Sequence, residues 1–134
     1  MTDTQRTVGA WMSPQPHTIG DDQSLVHARE RMHHWQVRHL PVLHGGHLVG
    51  VLSERDIALV EALQGLDIAK LRVDEAMSAD PWTVEADAAL AEVAATMAEQ
   101  RIGTAIVVSG EGADRVIGVF TTTDALRALA KLAG

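Results

Sequence analysis

Cysteine is absent from the 134 residues, which excludes a disulfide scaffold, a thiolate nucleophile, Cys-ligated zinc and iron–sulfur clusters. Basic residues are scarce. Eleven Lys+Arg against eighteen Asp+Glu leave a formal charge of −7, the opposite of a nucleic-acid footprint, so no nucleic-acid partner is expected. No run of about eighteen apolar residues occurs, so no segment is expected to span a membrane. The opening stretch Met1-Thr2-Asp3-Thr4-Gln5-Arg6 lacks the charged-then-apolar build of a signal peptide. Apolar residues, by contrast, make up 46 %, enough for a real core in one compact domain or two small units sharing a core. The expectation is a soluble, cytoplasmic protein.

The chain repeats itself. At a constant offset of 65, Val8, Met12-Ser13, Pro16, Thr18, Asp22, Leu25 and Met32 meet Val73, Met77-Ser78, Pro81, Thr83, Asp87, Leu90 and Met97. Val42 meets Val107 and Gly45 meets Gly110; three extra residues follow in the second copy. Gly50-Val51 then meets Gly118-Val119, and Asp56 meets Asp124. One indel inside a turn is what a duplicated unit tolerates.

Each copy reads as strand, helix, strand, strand, helix. Leu25, Ala28, Met32 and Trp35 form one stripe at helical spacing over about 24–36. Leu90, Val93, Ala94 and Met97 do the same in the second copy, with Asp87 placed to cap that helix. The runs 40–43 and 48–52 read as buried strands joined through Gly45-Gly46, a tight-hairpin signal. Runs 105–108 and 116–120 match them across a longer, Gly-rich segment at 109–115. The closing helices carry Ile57, Val60 and Leu63, then Leu126, Leu129, Ala130 and Ala133. Residues 64–72 connect the copies. A single copy of this size is marginal alone, so the two are expected to pack together.

In both copies the last strand runs straight into a helix, as Gly50-Val-Leu-Ser53-Glu-Arg-Asp56 and Gly118-Val-Phe-Thr121-Thr-Thr-Asp124. One reading is a capping box, with Ser53 or Thr121 as N-cap and Asp56 or Asp124 returning a bond to the cap's amide. The other is a ligand site. A helix N-terminus with an adjoining hydroxyl can hold a phosphate, and a carboxylate one turn in can accept from both hydroxyls of a ribose. The two can alternate with and without ligand.

These motifs resemble a tandem pair of cystathionine-β-synthase (CBS) domains, the Bateman module, over about residues 8–132. Met-Ser-x-x-Pro-x-Thr-Ile/Val opens each copy (Met12 to Ile19, Met77 to Val84), Arg38-His39-Leu40-Pro41-Val42 follows in the first, and Gly-x-x-Ser/Thr-x-x-Asp closes both. The resemblance implies an α+β fold of two β-α-β-β-α CBS repeats packed as a pseudo-two-fold pair. It also implies an adenosyl ligand (AMP, ATP, S-adenosylmethionine or NAD) in the cleft between them. In the first site it places His17 and Thr18 beside the base, with Arg38 and His39 lining the same pocket. Ser53 and Arg55 face phosphate there, and Asp56 takes the ribose hydroxyls. The matching positions of the second site are Trp82, Thr83, Gly103, Thr104, Thr121 and Asp124. That copy departs from the pattern. Ile106 stands where Pro41 does in the first copy, Thr123 replaces Arg55, and the bulky Trp82 either stacks on adenine or fills the pocket as core.

All seven histidines (17, 27, 33, 34, 39, 44 and 47) lie in the first copy. His44-Gly45-Gly46-His47 brackets a turn, and imidazole suits zinc, copper or nickel, yet no His-Glu-x-x-His pair appears, so no metal is expected. Asp21-Asp22 is explained by the dipole of the helix that follows. Gly110-x-Gly112 has Arg115 at the third glycine's place and falls in a hairpin, so it is no dinucleotide fingerprint. No nucleophile elbow or triad is visible, and no catalytic residue is expected.

The first seventy residues hold 6 basic and 8 acidic side chains and the rest 5 and 10, so phosphate capture leans on Arg38 and Arg55. The expected protein is a non-enzymatic regulatory module with CBS repeats at 1–70 and 71–134. It requires no cofactor, takes a regulatory adenine nucleotide (AMP or ATP first), forms a homodimer and signals to an unidentified protein target. The alternative is a dimeric interaction module with vestigial nucleotide sites.

Overall fold

The computed structural model describes residues 6–14, 17–64, 67–109 and 115–134. Pro16, Gly110 and Gly112, used above in the repeat and in the rejected fingerprint, lie outside them. Among the described residues there are four α-helices and two four-stranded sheets, the mixed α+β architecture expected. In chain order the elements are β1 (Ser13–Pro14), β2 (Ile19–Gly20), α1 (Leu25–Trp35), β3 (His39–His44), β4 (His47–Ser53) and α2 (Glu54–Gln64). The second series is β5 (Ser78–Ala79), β6 (Thr83–Glu85), α3 (Leu90–Gln100), β7 (Thr104–Val108), β8 (Val116–Thr121) and α4 (Thr122–Ala133).

One sheet has the order β2-β3-β4-β5, the other β1-β8-β7-β6. In each, a short parallel pair (β2 with β3, β6 with β7) joins an antiparallel hairpin, and both hairpins shift register at matching points, Val42/Leu43 and Val107/Val108. The outer strand of each sheet comes from the other repeat. Ser13-Pro14 pairs with Val119-Gly118, and Ser78-Ala79 pairs with Val51-Gly50. The compact units are therefore not the sequence repeats: one is His17–Pro81, the other combines Met1–Pro16 with Trp82–Gly134.

Close approach explains Gly50 and Gly118. A Cβ on Gly50 would lie 2.5 Å from Met77 Sδ and 2.8 Å from the Ser78 carbonyl, and one on Gly118 would lie 2.6 Å from Met12 Sδ and 2.9 Å from the Ser13 carbonyl. The Met-Ser motif thus packs a methionine where the facing strand has no side chain. At the hairpin tip, Gly45 and Gly46 have φ of 56° and 84°, the positive pair that a two-residue turn demands.

Leu25, Ala28 and Met32 bury the inner stripe of α1 against Leu40, Val42, Leu52 and Ile57. Leu90, Val93 and Met97 of α3 pack with Ala105, Val107 and Phe120. Such side chains contribute about 1.5–3 kcal/mol each on burial. The expected Asp87 cap is not formed. Ala89 occupies the N-cap of α3 and has no side-chain bond, because a cap must sit directly before the first helical residue. Its counterpart Ser24 does cap α1, accepting from the His27 amide at 3.1 Å. Ile57 is fully buried and Val60 packs on the core; among the described residues the large exposed hydrophobic side chains are Leu59 and Leu63 on α2 and Leu126 and Leu129 on α4.

Candidate functional site

Both capping boxes form. Ser53 donates its amide to Asp56 Oδ2 at 2.9 Å, while the Asp56 amide donates to Ser53 Oγ at 3.0 Å. Thr121 and Asp124 do the same at 2.9 and 3.4 Å. Each box sits where a hairpin's last strand becomes a helix, beside the start of the partner strand: His39 is opposite Ser53, and Thr104 is opposite Thr121. The backbone closure is also shared, with Glu54 N–H donating to the Arg38 carbonyl at 2.9 Å and Thr122 N–H to the Gly103 carbonyl at 3.2 Å.

Around the first box, Arg38, His39, Ser53, Glu54, Arg55 and Ala58 line a groove of about 470 Å³. Asp56 adjoins it, half-buried, through its bonds to Ser53. The structure therefore brings together Arg38, His39, Ser53 and Arg55. Thr18 lines a different depression, of about 560 Å³, that runs along β2 to the Gly45-Gly46 turn. His17 stacks on Trp35, with ring centroids 4.1 Å apart and planes at 6°, and the Arg31 guanidinium lies 5.6 Å from the same indole. Trp35, which the helical stripe assigned to the core, thus packs on that core and also stacks on His17; neither ring lines the groove beside Asp56.

Asp21 does not serve only the helix dipole, for its carboxylate meets His44 Nδ1 at 3.0 Å. Nearby, the hydrogen bond and charge of Asp74 raise the Arg72 guanidinium above its ordinary pKa, with smaller contributions from Asp21 and Asp22. Among the described residues, no group of three His, Asp or Glu side chains could hold a metal ion.

The second box is enclosed. Asp124 is 2 % exposed. Its Oδ2 accepts from the Thr121 amide and hydroxyl, the latter at 3.2 Å; its Oδ1 accepts from Ser13 Oγ at 3.3 Å and Arg127 Nη1 at 3.0 Å. Ser13 and Arg127 are outside the set read from the sequence. Arg127 supplies the cation that Thr123 lacks, and it was visible as a difference, since Leu59 holds the matching place. Trp82 is half-buried and packs on the core, its carbonyl accepting from Ile106 N–H at 2.8 Å. Thr83 pairs with Ile106 in β6.

A family model for the CBS domain matches residues 8–62 and 73–131. Among curated relatives, the chain is 32 % identical over 107 residues to an inosine-5'-monophosphate dehydrogenase of Korarchaeum cryptofilum, covering 80 % of the chain and 21 % of that enzyme. It is 32 % identical over 91 residues to the CBS domain-containing protein YhcV of Bacillus subtilis, covering 68 % of the chain and 64 % of that protein. It thus spans less than two thirds of either. Among solved structures, the CBS domain pair of protein MJ0100, in complex with 5'-methylthioadenosine and S-adenosyl-L-methionine, matches with TM-score 0.79 and 27 % identity over 94 % of this chain and 97 % of that one. CBSX2 from Arabidopsis thaliana, in complex with AMP, matches with TM-score 0.73 and 29 % identity over 96 % and 98 %.

Proposed function

The chain belongs to the CBS domain family, and on that premise we propose that it is a non-enzymatic regulatory module that binds an adenosyl ligand and passes its level to a partner protein. The observation that carries this reading is the first box: a half-buried carboxylate at a helix N-terminus, adjoining a groove that Arg38 and Arg55 line. Asp56 accepts from the ribose hydroxyls, and the guanidinium groups with Ser53 take the phosphate. In this reading His17 and Thr18 stand beside the base and His39 lines the same pocket, with Trp82, Thr83, Gly103 and Thr104 the matching positions of the second site. Solved relatives that hold AMP, or methylthioadenosine with S-adenosylmethionine, support the ligand class. AMP and ATP rank first because of the two arginines, and the cytoplasm is the setting proposed. Among the described residues no helix is long and apolar enough to cross a membrane.

Thermal melting with millimolar AMP, ATP, S-adenosylmethionine or NADH tests the reading, since a ligand of the native state must raise the midpoint. No shift with any of them leaves the second reading, a dimeric interaction module. Exposed Leu59, Leu63, Leu126 and Leu129, at 52, 75, 65 and 61 %, favour self-association under either reading. A homodimer at tens of micromolar is expected by light scattering, and Leu63→Glu with Leu129→Glu should yield monomer. A wild-type monomer at that concentration removes the dimer from the proposal.

A further inference from the structure

Arg127 sits one helical turn beyond Asp124 and gives its Nη1 to that carboxylate, whereas the first copy has Leu59 at the matching position. The arginine side chain is 59 % exposed and the carboxylate beneath it 3 %. Since Asp124 is itself bonded to the Thr121 amide, the contact draws the guanidinium back from the middle of α4 to its first turn. There it meets the carboxylate that also accepts from the Thr121 amide and hydroxyl.

Building on the adenosyl-binding reading above, we propose that Arg127 determines specificity at the Asp124 site by restricting it to ligands that carry a phosphate. A ribose needs Asp124 as an acceptor, and Oδ1 is already held by Arg127 and Ser13. The ribose takes Oδ1 by displacing the Arg127 guanidinium, whose side chain is mostly exposed and able to swing towards a phosphate. That displacement breaks a charge-assisted bond, among the stronger kinds a side chain makes. A ligand with a 5'-phosphate compensates, because the displaced guanidinium exchanges one anion for another. A neutral nucleoside supplies the ribose but no anion, so the broken bond goes unreplaced. The Asp56 site has leucine at this position and imposes no such requirement.

The test is isothermal titration of AMP and adenosine into Asp56→Ala protein, in which the Asp56 site is weakened and the variants at Arg127 report on the Asp124 site. The same titrations follow in Asp56→Ala with Arg127→Leu, the residue of the first copy, and with Arg127→Gln, which keeps a polar hydrogen-bond donor without the charge. With Arg127 present, AMP should bind at least about tenfold tighter than adenosine, the size of one charge-assisted bond. Both replacements should bring the ratio near one, adenosine tightening while AMP weakens. A ratio that neither replacement moves overturns the proposal. So does Asp56→Ala protein that binds neither compound while wild type binds AMP. Wild-type protein that binds no adenosyl ligand would instead bring down the functional reading, and this proposal with it.

Discussion

Asp56 and Asp124 occupy equivalent places in a duplicated motif, yet they are held in opposite ways. Asp56 is half-buried beside an open groove with two arginines; Asp124 is buried beneath a serine, a threonine and an arginine of its own unit. The backbone is common to both, including the box and the carbonyl that closes it. What differs lies at positions that the shared Gly-x-x-Ser/Thr-x-x-Asp pattern leaves open or does not reach: Arg38 against Gly103, Arg55 against Thr123, Leu59 against Arg127. Duplication kept the frame that positions a carboxylate and changed the charges that decide what it meets.

The sharpest way to break this comparison is to attack the shared frame. Gly50→Val and Gly118→Val should each destabilise by an amount near the top of the about 1–3 kcal/mol range for overpacking, because both meet a methionine and a carbonyl. Urea midpoints should fall alike. A large effect at one glycine only would show that the frames are not equivalent.

The aspartates should then separate stability from binding. Asp124→Ala leaves buried donors unpaired and should cost about 1–3 kcal/mol of stability, while Asp56→Ala should cost about 1 kcal/mol, the loss of a cap. Affinity for AMP should run the other way. Asp56→Ala should lose about ten- to hundredfold in titration of the tighter event, and Asp124→Ala should leave that event nearly intact. Reversed affinities would mean that the enclosed carboxylate is the better site.

The smallest effect concerns the first helix of each copy. Ser24→Ala should cost about 1 kcal/mol, and Ala89→Ser should gain up to about the same, because Ala89 already has the extended backbone of a cap. Thermal midpoints of the two variants check this, and a neutral Ala89→Ser would place the difference elsewhere than in the cap.

Much of this was legible before any coordinates. Hydrophobic spacing marked α1 and α3, Gly45-Gly46 marked the turn, and the Ser/Thr-x-x-Asp spacing marked both boxes, because each is a local pattern in which backbone and side chain agree. Two-residue strands such as β1 and β5 carry no periodic signal, and β1 finds its partner almost at the other end of the chain. The stacking of His17 on Trp35 and, far longer in range, the bond from Ser13 to Asp124 join residues outside any one local element, so no spacing announces them. Asp87 misled because an acidic residue near a helix start resembles a cap even when it stands too far back. Arg127 was readable at the offset of the repeat, but a motif that stops at its aspartate directs no attention one turn further.

The pairing of β1 with β8 also sets an order on folding. His17–Pro81 is one continuous stretch, and its last strand needs only to bring Ala79 back to Gly50. The other unit must hold β1 until β8 exists, since Pro14 meets Gly118. That closure spans a loop roughly three to four times longer and costs roughly 1 kcal/mol more in chain entropy, a modest sum at equilibrium. During synthesis the difference is one of time. Residues emerge at about 5–20 per second, so every strand of the His17–Pro81 unit is made several seconds before its neighbour has β8 to receive β1. Through that interval all the residues around the open groove beside Asp56 already exist, while the enclosure of Asp124 waits for β8 and α4.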